Sequence, residues 1–345
     1  MKALLFALLI GGAAGSAQPS DAVVAWDGAA STILVAHDAR IEAFGQEGMR
    51  RLWSVDGLPH PSTIVVSSDG AIAAVIDPLS DRVILLDVSS GTSTDLPTGA
   101  TPVEGQFVGS SLYLLERDAA QVVRIGADHT RTSIRVAPDP AFMRRSGHLL
   151  YVYSRSGGVL QEIDSSSDRV VLSVDVGPSA SDLEVDGSYA YLVHPQRGKI
   201  ELVDLRIMRA AGEIAVGAVP TDLALVHSGT VITASRFAVA DPAAKRVWQV
   251  EGTESQTKAI ARGFLRGLIG LGLYSGRNDE YPTGIDRLIA SGTTLLAYDG
   301  SSRTLYREVK GKPTAIASGL GPASFAITSD GVVTWQNGAL HRKTR

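Results

Sequence analysis

Four acidic residues, Glu104, Asp182, Asp222 and Asp286, stand at matching places along the chain, each beside the start of a short apolar run, and Arg144 and Arg145 belong to a further run of the same kind. Carboxylates that converge can hold a calcium ion, which takes six to eight oxygen ligands, or divide the roles of acid and base in a hydrolysis. The plainer reading, and the expected one, is that a channel mouth is wet and polar in any case, or that Asp182 and Asp222 accept hydrogen bonds from nearby backbone amides. No other constellation competes. The chain has no cysteine, which excludes thiolate metal sites, c-type haem attachment and cysteine nucleophiles. The histidines at 37, 60, 129, 148, 194, 227 and 341 form no pair at ligand spacing. His60 and His194 precede prolines, and His148 and His227 flank turns, so exposed turn positions are expected for them. Gly267, Gly270, Gly272 and Gly276 lack the preceding strand, following helix and later acid of a dinucleotide fingerprint. Trp26, Trp53, Trp248 and Trp335 sit within strand patterns, where packing is the expected role.

Bringing those acids together requires a repeat, and the chain has one. A turn dipeptide falls at Asp27-Gly28, Asp69-Gly70, Gly109-Ser110, Ser146-Gly147, Asp186-Gly187, Ser228-Gly229, Ser291-Gly292 and Asp330-Gly331. From glycine to glycine the steps are 42, 39, 38, 40, 42, 63 and 39 residues. Within one period, residues 181–220 hold four short alternating runs separated by turn residues, with no helical periodicity. The periods end alike, in Val55-Asp-Gly-Leu-Pro59, Pro97-Thr-Gly-Ala-Thr-Pro102, Val176-Gly-Pro178, Val216-Gly-Ala-Val-Pro220 and Leu320-Gly-Pro322, where proline stops one ladder and starts the next segment. Four-stranded units at this period are the blades of an all-β propeller, whose innermost strands line a central channel. Acids at the starts of those strands would meet near one channel mouth.

Seven full cassettes run from about residue 21 to 322. Three further strands are expected at Phe325 to Thr328, Val332 to Gln336 and Leu340 to Lys343. Eight blades are therefore favoured, with seven as the alternative. Were the ring closed by strand exchange between its ends, Gln18 to Trp26 would be the exchanging segment.

The pattern at Tyr151 to Asp164, and the stretch Tyr191 to Asp204 followed by Val216-Gly-Ala-Val-Pro220, resemble the YVTN family of bacterial β-propeller repeats and, less closely, the NHL type. The resemblance implies the fold for nearly the whole chain. For function it implies a wide group: surface and periplasmic binding proteins, lactonases, a lyase of cyclic peptide antibiotics and electron-transfer enzymes. Lactonases of that group place a Glu, an Asn and an Asp on a metal, a set that this chain does not match.

Met1-Lys2, the apolar run Ala3 to Ile10 and the small residues to Ala17 read as a secretory signal peptide, with residues 18–345 as one propeller domain. The apolar core is far shorter than the roughly 20 residues of a spanning helix. A periplasmic or extracellular location follows, with no membrane span in the processed chain and a monomer expected. The net charge of −4 is spread over interspersed residues, which is no nucleic-acid footprint. The long step of 63 residues contains an insertion at about 261–283, whose plain reading is an extended blade edge or a loop packing its own Leu and Ile on the rim. Its functional reading is a lid or docking loop, because Phe264, Leu268, Ile269, Leu271, Leu273 and Tyr274 show more apolar surface than a free loop should.

The expected function is a non-catalytic binding or scaffold module for a protein or cell-envelope ligand. Phe264, Leu268, Ile269, Tyr274, Arg144 and Arg145 are its binding candidates. The alternative is a lactonase- or lyase-like enzyme dependent on calcium or another divalent metal, using Glu104, Asp182, Asp222 and Asp286; no cofactor is required by the first reading.

Overall fold

Side chains along a strand point alternately to its two faces, so short runs of alternating or continuous apolar character, cut by Gly, Asp and Ser, form strands joined by tight turns. A computed structural model describes residues 22–215, 222–226, 230–233, 238–241, 246–249, 287–291, 294–300, 302–309 and 312–344. Among them the strands form eight antiparallel sheets, seven of four strands and one of three, and the architecture is an all-β propeller. The first strands of the blades are Val23–Asp27, Thr63–Val66, Pro102–Val108, Pro140–Ser146, Asp182–Val185, Leu223–Val226, Arg287–Ser291 and Phe325–Thr328. These pack side by side around the axis. The second strands, such as Leu149–Ser154 and Tyr189–His194, are buried on both faces, and fourth strands such as Arg51–Asp56 are largely exposed.

Every turn dipeptide of the described residues lies between the first and second strand of its blade. Gly70 shows why glycine is needed: its φ is +72°, and a Cβ there would run into the carboxylate of buried Asp27. The aspartates that end third strands have a turn role of their own. Asp87, Asp164 and Asp204 accept from the backbone N–H of Ser90, Ser166 and Arg206 at 2.8, 2.9 and 3.0 Å, which bends the chain into the fourth strand.

The core is a ring of clusters between blades. Ile84 and Leu86 of the second blade pack on Leu34 and Ile41 of the first, and Tyr113 and Leu115 of the third on Leu150 and Val152 of the fourth. Buried tyrosines of second strands pin the connections: Tyr153 donates to the Gly177 carbonyl oxygen at 3.0 Å and accepts from Ala180 N–H at 2.9 Å, and Tyr298 donates to the Leu320 carbonyl oxygen at 2.8 Å. Trp248 is placed on the strand Arg246–Gln249, and the side chains of the other three tryptophans are described. Trp53 donates to the Val88 carbonyl oxygen at 2.9 Å across the first blade boundary, Trp335 packs across the last, and Trp26 donates to Gln46 at 3.2 Å.

Among the described residues the ring closes without strand exchange. Val23–Asp27 is the innermost strand of the first blade and pairs with Thr32–His37, so it does not act as the exchanging segment of a strand-swapped closure, and residues 18–21 lie outside the described residues. Closure is by packing of Val333 and Trp335 on Val24, Ile33 and Val35, by Val24 N–H on the Ala323 carbonyl oxygen at 2.8 Å, and by the Ser324 hydroxyl on the Ala22 carbonyl oxygen at 3.0 Å. The hydrophobic gain of burying a large face between blades removes any need for a shared ladder there. The His37 ring also lies 4.5 Å from that of Trp335.

Candidate functional site

Inner strands of consecutive blades carry their acids on the channel side, and three of those acids reach sideways to the next blade. Glu104 accepts from Met143 N–H at 2.7 Å, Asp182 from Leu223 N–H at 3.0 Å, and Asp222 from Leu288 N–H at 2.5 Å. Each carboxyl therefore latches one inner strand to the strand that follows. This is the backbone-bonding role expected of aspartates at strand starts.

Arg144 stands in the middle of the row. Its guanidinium is ion-paired with Glu104, lies 2.9 Å from Glu184 and 3.4 Å from Asp182. Burial opposes its charge, but Glu104, Glu184 and Asp182 together overcome that and hold the guanidinium firmly protonated. The carboxyls feel burial as well: Glu104, Glu184 and Asp182 are all pushed above their ordinary ranges by desolvation, which Arg144 opposes. Asp182 is moved furthest up the scale because the carboxyl of Asp222, to which it is hydrogen-bonded, adds to the effect of burial. A cavity of about 310 Å³ opens beside this row, lined by Arg144, Asp182, Glu184, Asp222, Arg287 and the strand segments that carry them.

Of the residues singled out from sequence, Glu104, Arg144, Asp182 and Asp222 come together here. Arg145 does not: alternation turns its exposed side chain away, to donate to the Phe107 carbonyl oxygen at 2.7 Å. Asp286, Phe264, Leu268, Ile269 and Tyr274, with the whole 261–283 segment and residues 1–21, lie outside the described residues. Two members of the site escaped the sequence reading, Glu184 and Arg287. Glu184 lies two positions after Asp182, and the period of a strand puts both on one face. Among the described residues, no group of three or more His, Asp and Glu side chains has a geometry that would hold a metal ion; Arg144 occupies the centre of the acids.

The expectation that His194 is an exposed turn residue is corrected. It ends a second strand buried on both faces and is itself 1% exposed. Its Nε2 lies 3.3 Å from Glu201, without the alignment of a hydrogen bond. Burial, with Arg197 and Lys199 adding to it, lowers its pKa to about 4. His60 and His148 are exposed as expected, and His227 lies outside the described residues.

No family model and no curated protein matches the chain. Solved structures do. The dihydro-heme d1 dehydrogenase NirN, in complex with DHE, is 13% identical with a TM-score of 0.62, over 87% of this chain and 66% of that one. BamB from Moraxella catarrhalis is 11% identical with a TM-score of 0.62, over 92% and 94%, and the computationally designed Ika8 protein is 10% identical with a TM-score of 0.67, over 93% and 95%. The likeness is one of fold. At such identities the site must be argued from its own geometry. Among the described residues no helix is long and apolar enough to cross a membrane.

Proposed function

We propose that this chain is a periplasmic or extracellular β-propeller that binds a protein or cell-envelope component at its channel mouth and does no chemistry of its own. One observation supports it above others: Glu104, Asp182 and Asp222 accept backbone N–H groups of neighbouring blades, and Arg144 takes up Glu104, Asp182 and Glu184. Carboxyls engaged in this way build a rigid charged recess and leave no base poised beside a nucleophile. Rigidity favours recognition because little order has to be gained on binding.

The apolar residues of the 261–283 insertion belong to the same reading as the contact that holds the partner. Phe264→Ser, Leu268→Ser and Tyr274→Ser combined should leave the melting temperature of the processed protein in place while weakening capture of envelope components at least about tenfold, as loss of large apolar anchors does. Unchanged capture would remove the insertion from the reading.

The raised proton affinity of Asp182 in a cavity favours a second reading, an acid–base or metal-dependent hydrolase of the lactonase or lyase kind. A melt with calcium, magnesium or manganese against EDTA separates the two. A metal held only by the folded state raises the melting temperature, and EDTA reverses it; no shift favours the binding module.

A further inference from the structure

The cavity beside the acid row is lined by charge of both signs. On one side, Arg287 lines it from the seventh inner strand. Among the described residues Arg287 donates to the Pro322 carbonyl oxygen at 2.8 Å and lies with its guanidinium 6.0 Å from the centre of the Phe325 ring; no carboxylate is within ion-pair distance, though Asp222 and Asp182 are near enough to favour its charge against burial. A guanidinium has five N–H donors in a planar fork that matches a carboxylate, so most of this fork is unspent. On the other side, the Asp182 and Asp222 carboxyls meet, with Glu184 on the same strand as Asp182. Arg144 does not supply the missing anion site, since three carboxyls already surround it.

The size of the cavity narrows the occupant. About 310 Å³ is at the lower end of ligand pockets, room for a compact molecule and not for a folded element or a long chain. Charged side chains dominate the lining, so an uncharged apolar ligand would strand them without partners. A simple anion would face three carboxyls, and a simple cation would leave Arg287 unanswered. A molecule with a carboxylate and an ammonium a few ångströms apart satisfies both sides at once.

We propose that this cavity binds a free α-amino acid, its carboxylate on Arg287 and its ammonium on the Asp182–Asp222 pair. The site shares Arg144, Asp182, Glu184 and Asp222 with the recess of the proposed function and rests on that reading only for the recess, since an amino acid can bind there without the partner. Its occupant would reach it from solvent, to which the Arg287 side chain is exposed.

The test is a thermal melt of the processed protein with each of the common α-amino acids, in both enantiomers, at millimolar concentration. Calorimetry follows on any that raise the melting temperature, as a ligand of the folded state must. At least one amino acid should bind, and its amide and its deaminated acid, each lacking one charge, should bind at least about tenfold more weakly, the cost of one charge-assisted contact. Arg287→Gln keeps a donor for the Pro322 carbonyl oxygen, and Asp222→Asn keeps an acceptor for Leu288 N–H. Each should lower affinity to a similar extent with an unliganded circular dichroism spectrum like that of the parent. No shift with any amino acid overturns the proposal, and so does equal binding of an analogue that lacks either charge, a comparison made on the unaltered protein. Neither result bears on capture at the mouth, which the insertion variant tests by itself.

Discussion

Asp182 and His194 are buried titratable groups whose shifts run in opposite senses, and each gives the molecule a different edge of its stability range. Asp182 holds its proton to higher pH than the ordinary 3.8, because burial and then Asp222 oppose its charge. Its contribution is whole below the unfolded value and is lost as pH rises through the raised folded one. Asp222→Asn removes one of the facing charges, so its melting temperature should fall less than that of the parent as pH rises above 3.8. Parallel curves for the two proteins would show that the pair does not set this slope. His194 goes the other way: a folded value near 4 against 6.5 means that stability is whole above 6.5 and drains as pH falls towards 4. His194→Gln should flatten the acid limb of a urea-unfolding series, and an unaltered limb would count against the buried ring. At this scale the sequence was half readable. Glu104, Asp182 and Asp222 recur at matching places in the repeat, but Arg287 follows the 63-residue step, where alignment of the periods is lost, and nothing before a proline marks His194 as buried.

Strands and turns were the most legible level, because their causes are local. Each dipeptide from Asp27-Gly28 to Asp330-Gly331 that falls among the described residues marks the hairpin between first and second strands, and the Ile-Asp and Val-Asp endings at 163–164 and 203–204 mark the turns after third strands. The tyrosines were legible as apolar residues and not as ties between blades, since their partners lie in the connections. Tyr153→Phe keeps the ring and removes the hydroxyl that serves both Gly177 and Ala180. A loss of about 1–3 kcal/mol is expected by chemical denaturation, because Ala180 N–H is left buried without its acceptor. A change below about 0.5 kcal/mol would mean that water replaces the hydroxyl.

The closed ring leaves no local trace in the sequence, since Val24 and Ala323, or Trp335 and Val35, are brought together by the sum of all the blades between them. The sequence therefore names a segment for strand exchange without choosing that closure, and packing is what the described residues use. Trp335→Ala opens a gap in the one boundary whose two sides are not adjacent in the chain, and about 3–5 kcal/mol should be lost. Native-state hydrogen exchange should then protect the first and last blades least; uniform protection would indicate that the other boundaries carry the closure. The latches along the channel have a direction as well. Glu104, Asp182 and Asp222 each precede in the chain the backbone N–H they receive, from Met143, Leu223 and Leu288. A chain emerging from its N-terminus thus meets these three acceptors ready-made, so that the fourth, sixth and seventh sheets each have a seat already prepared by the sheet before them.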